Sequence, residues 1–429
     1  MNSDRLENRT SIKDKQLAKL HTLLATLARG NHFYTNKFKD AGTPAVVSTL
    51  KDFQTTVPFT LKQEIVEDQR RHSPYGTNLT YPLAHYKRFS QTSATSGRPL
   101  RWLDTQESWN WMLNCWVQVF EAAGITDEDR LFFAFSFAPF LGFWTAFEAA
   151  VSLGCLCIPG GGLSSAARLA MMMDNGVTVL CCTPTYALRL AEVAREEEAD
   201  LTRTEVKKIL VAGEPGGSVP NVRSKIETLW GGARVLDHHG MTEIGPVSYQ
   251  CPNRSDVLHI LESDYIAELI DPQSGQPTDP GQTGELVLTN LGRLGSPLLR
   301  YRTGDLVKMA PGQPCECGSY EVALQGGILG RTDDMVTVRG VNLYPSAVDE
   351  VVRAYDEVGE YRVVIRTQRE LAELTLEVEP SSHNLDPAKL ADRLKKRLER
   401  AFALRISASI VPPGSLPRFE MKARRWVRL

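Results

Sequence analysis

Apolar side chains recur at helical spacing near the start of the chain, at Ile12, Leu17, Leu20, Leu23, Leu24 and Leu27. With polar residues between them they predict an amphipathic helix within residues 11–40. Further on, short apolar runs alternate with longer helical ones. Residues 131–135, 155–158, 177–182, 209–212 and 235–236 are expected as strands, and 143–153, 163–173, 186–195 and 219–229 as the helices between them. Alternation at that interval implies parallel strands with helices on both faces, and ligands bind such sheets beyond the carboxyl ends of the strands. The end of the chain reads as α+β. Strands are expected at 333–338, 363–367, 374–378 and 406–411, a helix capped by Ser346 runs to Ala354, and a second helix at 387–403 is announced by Asp386. A polar tail closes the chain. The expected fold class is thus an α/β large N-terminal domain (residues 1–330) with a parallel sheet and a β-rich subdomain, then a small α+β C-terminal lid domain (residues 331–429).

The apolar stretch 131–159 is long enough to span a bilayer and carries one charge, Glu148. Its prolines, glycines and eight Phe/Trp residues, and the lack of basic flanks, argue instead for a buried strand, a loop, a buried helix and a second buried strand. Across 429 residues the net charge is -2, which offers no general attraction for nucleic acid or an anionic membrane. No secretory pattern opens the sequence, so a cytoplasmic location is expected. Eight cysteines in a chain this long do not suggest a disulfide framework. Cys115, Cys155, Cys157, Cys181 and Cys182 sit in apolar runs, where a thiol packs as a small hydrophobe.

The candidate chemistry centres on residues 90–99, where Ser93, Thr95, Ser96, Gly97 and Arg98 concentrate hydroxyls, a glycine and a cation before Pro99. Backbone N–H groups freed at such a turn, with hydroxyls and one cation, can surround phosphoryl oxygens. Three later loops suit a nucleotide. Gly213, Glu214 and Pro215 follow an expected strand, with glycine allowing close backbone approach. The segment from Asp237 through His239, Gly240 and Thr242 to Glu243 offers a carboxylate for a hard cation such as Mg²⁺. Around Gly304, a glycine turn presents Asp305 to both hydroxyls of a ribose. For the organic substrate, Phe137, Phe140 and Trp144, with Ala212 and Gly213 beneath, suit a planar or apolar group, and Gly240 is a further candidate. Separately, Cys251, His259, Cys315 and Cys317 lie in polar, Pro/Gly-rich segments and form a Cys₃His set fit for structural Zn²⁺.

Five ordered motifs join these loops: Thr242-Glu243, Tyr301 to Asp305 (YRTGD), Gly330 to Met335 (GRTDDM), Arg339 to Ser346 (RGVNLYPS) and Leu416 to Ala423 (LPRFEMKA). In them the chain resembles the acyl-adenylate-forming, AMP-binding enzymes, and among these the phenylacetate-CoA ligase group. The resemblance implies ATP-dependent activation of an aryl or arylacetic carboxylic acid as acyl-AMP, then capture by coenzyme A. It further implies that Asp305 and Arg331 hold the ribose, Glu243 the Mg²⁺, that Asp333 is the hinge to the lid, and that Lys422 bridges acid and α-phosphate. The family also tends toward homodimers. Three positions depart from its pattern: Ala94 stands where Gly is usual, Arg98 where Lys is common, and His239 where an aromatic stacks on adenine. Delivery of AMP or the acyl group to another acceptor, or an inactive nucleotide-binding homologue, remain alternatives.

Overall fold

In the computed structural model the N-terminal apolar stripe folds as two helices, Arg9–Gly30 and His32–Ala41, and not as one. The structure describes residues 8–429 except 45, 93–98, 136, 138, 140, 280, 313, 339–340, 369–370, 382–385 and 421. Asn31 causes the break. Its N–H closes the first helix on the Leu27 carbonyl, while its side-chain oxygen accepts from Tyr34 N at 3.1 Å and starts the second. Leu20, Leu23 and Leu27 then pack with Tyr34, Phe53, Ile266, Leu291 and Leu299 in one buried cluster.

The chain forms two compact units. The first comprises Met1–Gly162 and Asp237–Gly327, the second Leu163–Leu236 and Ile328–Leu429. In the first, strands Arg130–Phe133 and Leu156–Pro159 pair in parallel, with helix Trp144–Ser152 between them in sequence. The long apolar stretch is therefore strand, helix and strand, and among the described residues no helix is long and apolar enough to cross a membrane. The second strand corrects the expectation of full burial. It lies at a sheet edge, and Leu156 is exposed.

The β-rich part of this unit is antiparallel. Tyr265–Ile270, Thr283–Asn290 and Tyr301–Lys308 pair in order, as do Ser248–Gln250, Val257–Ile260 and Ala323–Gln325. Here the segment around Gly304 differs from the loop expected after a strand: it lies within Tyr301–Lys308. Gly304 has φ +77°, and the register slips between Glu285 and Val287 on the facing strand, so the glycine makes a bulge that re-aims the next side chain, Asp305.

In the second unit, strands Val179–Cys182 and Lys208–Ala212 pair in parallel. Its C-terminal part is a four-stranded sheet in the order Ser407–Ile410, Leu371–Pro380, Val358–Gln368, Trp426–Arg428. Helices Pro345–Arg353 and Pro387–Phe402 contribute Val348, Val351, Val352, Leu390, Leu394 and Leu398 to the core of this part. The fold class expected from the sequence holds, with two further local corrections in this part. Ser346 does not cap its helix: Tyr344 holds the N-cap position, and the Ser346 hydroxyl donates to the Leu329 carbonyl. The expected polar tail ends in a strand, Trp426–Arg428, paired in parallel with Val358–Gln368.

Candidate active site

In the first unit the Thr242-Glu243 segment is held from behind by one buried cation. Arg293 donates to the Thr242 carbonyl at 2.8 Å and the Glu243 carbonyl at 3.0 Å, and its other guanidinium edge forms two 2.7 Å bonds to Asp104. Both side chains are sealed from water, at 0% and 1% exposure. The Glu243 carboxylate, itself buried, faces Lys62 Nζ at 3.3 Å, so its surroundings already accommodate positive charge. Neither Arg293 nor Asp104 was legible from sequence. Buried charges announce themselves through partners distant in the chain, and no local pattern marks them.

Two histidines, the last residue of strand Arg234–His238 and the one after it, have different surroundings. His238 is buried, its Nδ1 donating to the Ser248 carbonyl at 2.6 Å and its ring lying 4.1 Å from that of Trp116. Burial, with His239 beside it, pulls its pKa down from 6.5 to about 3, so it stays neutral. His239 Nε2 stands 2.9 Å from Asp305 Oδ2, joining two residues assigned separately from the sequence. Its Nδ1 is buried with no hydrogen-bond partner among the described residues. In the tautomer that places the ring proton on Nε2, toward the carboxylate, Nδ1 is an acceptor. Gly240 has no room for a side chain: a Cβ would meet the Gly245 carbonyl and His238 Nε2, each at 3.0 Å.

In the second unit, the loop after strand Lys208–Ala212 meets the C-terminal tail. Gly213 has φ +95°, and a Cβ there would lie 3.3 Å from Lys422 Cε, so the lysine stem runs across the glycine. Glu214 turns its carboxylate to backbone donors, Thr185 N and Ala423 N, both at 2.9 Å. Pro215 is exposed beside it. The tail is anchored on either side. Arg418 pairs with Glu379 and, at 3.2 Å, with Glu192, while Arg425 makes bonds of 2.7 and 3.0 Å to Glu360. Burial alone would raise the Glu360 pKa, but Arg353 and Arg425 hold it at about 2. The tail is thus docked by charges that the sequence did not single out. Arg331 and Asp333 form a two-bond pair of 2.8 and 3.2 Å.

Cys251, His259, Cys315 and Cys317 converge, with all four ligand atoms within 4.8 Å of one another. Cys251 Sγ lies 3.8 Å from Cys315 Sγ, and Cys317 Sγ 3.3 Å from His259 Nε2. A tetrahedral zinc ion would set these separations at about 3.8 and about 3.5 Å, so the donor set fits. Of the residues expected to line an acid pocket, Phe137 packs on Phe135, Phe147 and Trp144, and Trp144 Nε1 donates to Glu148 at 3.0 Å. Phe140 and the phosphate-loop residues Ser93, Thr95, Ser96, Gly97 and Arg98 lie outside the described residues.

Residues 91–292 match the family model described as AMP-binding enzyme, and residues 340–428 that described as AMP-binding enzyme C-terminal domain. A phenylacetate-coenzyme A ligase of Thermus thermophilus is 30% identical, over 96% of this chain and 95% of the relative. One from Pseudomonas putida is 28% identical, over 96% and 93%. Among solved structures, a 2-hydroxyisobutyryl-CoA ligase in the postadenylation state, in complex with R3-HIB-AMP, superposes with a TM-score of 0.93 at 29% identity, covering 99% of this chain and 90% of that one. The same enzyme with 2-HIB-AMP and CoA in the thioesterification state gives 0.74 at 29% identity, over 99% and 91%. Fold and motifs define an adenylate-forming enzyme of the AMP-binding class. The chain belongs, within that class, to the phenylacetate-CoA ligase-like family.

The surroundings of His238 generate a pH prediction. The unfolded chain takes up a proton at this residue below about 6.5 and the native one only near 3, so folding stability declines as pH falls through that window. Nitrogen-15 NMR of the imidazoles should find His238 neutral, with its proton on Nδ1, down to about pH 4. Titration near its ordinary value would contradict the buried placement.

Proposed function

We propose that the chain is an ATP-dependent acid-CoA ligase that activates an aryl or arylacetic carboxylic acid as acyl-AMP and transfers the acyl group to coenzyme A. The observation that carries this reading is Lys422 lying across Gly213, within a tail docked on the loop after a parallel strand. In the first half-reaction a carboxylate oxygen attacks the α-phosphorus of ATP and pyrophosphate leaves. Both reactants are anions, so the protein's task is alignment and charge neutralisation, with no covalent step of its own. The Lys422 ammonium can contact both the acid and the α-phosphate. Asp305 and Arg331 are assigned to the ribose hydroxyls, and His239, with Gly213 and Pro215, to the adenine side of the nucleotide. The hydroxyls and backbone of Ser93, Thr95, Ser96 and Gly97, with Arg98, take the phosphates. Glu243, beside Thr242, would hold Mg²⁺, which when bound neutralises phosphate charge. In the second half-reaction the coenzyme A sulfur attacks the acyl carbonyl and AMP departs.

Residues 331–429 form the lid in this reading, with Asp333 as its hinge, and Phe137, Phe140, Trp144 and Gly240 line the acid pocket. The eight cysteines are all free, which suits a reducing, cytoplasmic setting. Cys251, His259, Cys315 and Cys317 are proposed to bind one Zn²⁺. Four protein ligands leave no open position, so its role would be to fasten the β-rich part.

Pyrophosphate exchange into ATP, run over a panel of benzoic, phenylacetic and aliphatic acids with and without coenzyme A, tests the activity. Exchange is expected with aromatic acids, and thioester only when coenzyme A is present. Exchange without any thioester would overturn the acceptor, and no exchange with any acid would overturn the reading. For the metal, protein purified without added zinc should carry about one Zn²⁺ per chain, and Cys315→Ser should lose it and lower Tm by about 5 °C or more. Metal analysis that finds none would remove the zinc assignment.

A further inference from the structure

Glu214 stands where the sequence suggests a nucleotide contact, yet both of its carboxylate oxygens are engaged by backbone N–H groups of the protein. Oε1 accepts from Thr185, in the first turn of helix Pro184–Glu196, and Oε2 from Ala423, the residue after Lys422. We infer that Glu214 is a positioning residue that sets the register of the tail and thereby places the Lys422 ammonium for adenylation. The inference rests on the Lys422 assignment proposed above.

Three features of the second unit lead there. A lysine side chain is a long flexible stem, so the reach of its ammonium is defined only if the backbone at its root is held. Lys422 is exposed, so burial does not hold it. The ion pairs of Arg418 and Arg425 grip the tail at residues on either side of Lys422, whereas the Glu214 bond grips its immediate neighbour. Gly213 completes the arrangement. Lacking a side chain, it leaves the surface open where the lysine stem crosses, and its φ of +95° turns the chain so that the next residue faces the tail. Anchoring the other carboxylate oxygen to a helix N-terminus keeps the acceptor in one orientation. One charge-assisted hydrogen bond is strong enough to register the tail and weak enough to break when the lysine must withdraw.

The test measures the half-reactions separately in Glu214→Gln, Lys422→Ala and the double variant, using the acid with the fastest exchange in the panel above. Glu214→Gln preserves shape, removes the charge and turns an amide NH₂ toward one of the two N–H donors. Its adenylation kcat should fall by roughly 10-fold, the size of one such bond. Its KM for ATP and its rate of thioester formation from supplied acyl-AMP and coenzyme A should stay within about twofold, which also shows the variant to be folded. The double variant should adenylate no more slowly than Lys422→Ala alone, because a residue acting through Lys422 has nothing left to place. A raised KM for ATP with kcat intact would make Glu214 a nucleotide ligand and overturn the inference, as would losses that multiply in the double variant or fall equally on both half-reactions. A crippled Lys422→Ala beside unimpaired Glu214→Gln would overturn the inference alone. Unimpaired adenylation in Lys422→Ala would overturn the Lys422 assignment, and the inference with it.

Discussion

The buried pair between Asp104 and Arg293 is the constraint on which the first unit's candidate site depends. It joins the end of strand Arg101–Thr105 to a loop almost two hundred positions later in the chain, and through the Thr242 and Glu243 carbonyls it fixes a third segment. Removing two charges from water is costly, and such a pair adds little net stability over well-packed apolar residues. Its value lies in geometry. A guanidinium with both edges engaged has one arrangement, and any other leaves a charge buried without a partner, at a cost of about 3–5 kcal/mol. The backbone that carries the Glu243 carboxylate is therefore preorganised, which is what a site working by charge neutralisation requires.

The second unit solves a different problem. In the proposed reaction its tail must be placed accurately and still be releasable. Arg425 clasps buried Glu360 at the root of the last strand, a durable attachment. Next to Lys422, the Ala423 N–H donates to Glu214 beside a bare glycine.

What could be read in advance follows the reach of each interaction along the chain. The alternating strands and helices, the helix begun by Asp386 and the Cys₃His set were legible, because apolar periodicity, capping and ligand type are local signals. The break at Asn31 was also local but lay hidden in a continuous apolar stripe. The bulge at Gly304 was read as a turn because a glycine with positive φ serves both, and only the facing strand distinguishes them. Arg293 with Asp104, the pairing of His239 with Asp305 and the attachment of Glu214 to Ala423 were not legible. Each joins residues from separate parts of the chain, and composition carries no trace of such pairings.

The central claim is that a carboxylate of the substrate attacks the α-phosphorus of ATP, and the fate of its oxygen decides the matter. A single turnover with acid labelled at both carboxylate oxygens with oxygen-18, in the presence of ATP and coenzyme A, should leave one labelled oxygen in the phosphate of AMP and one in the thioester carbonyl. Label appearing in inorganic phosphate together with ADP, or AMP that carries no label, would contradict an acyl-adenylate route.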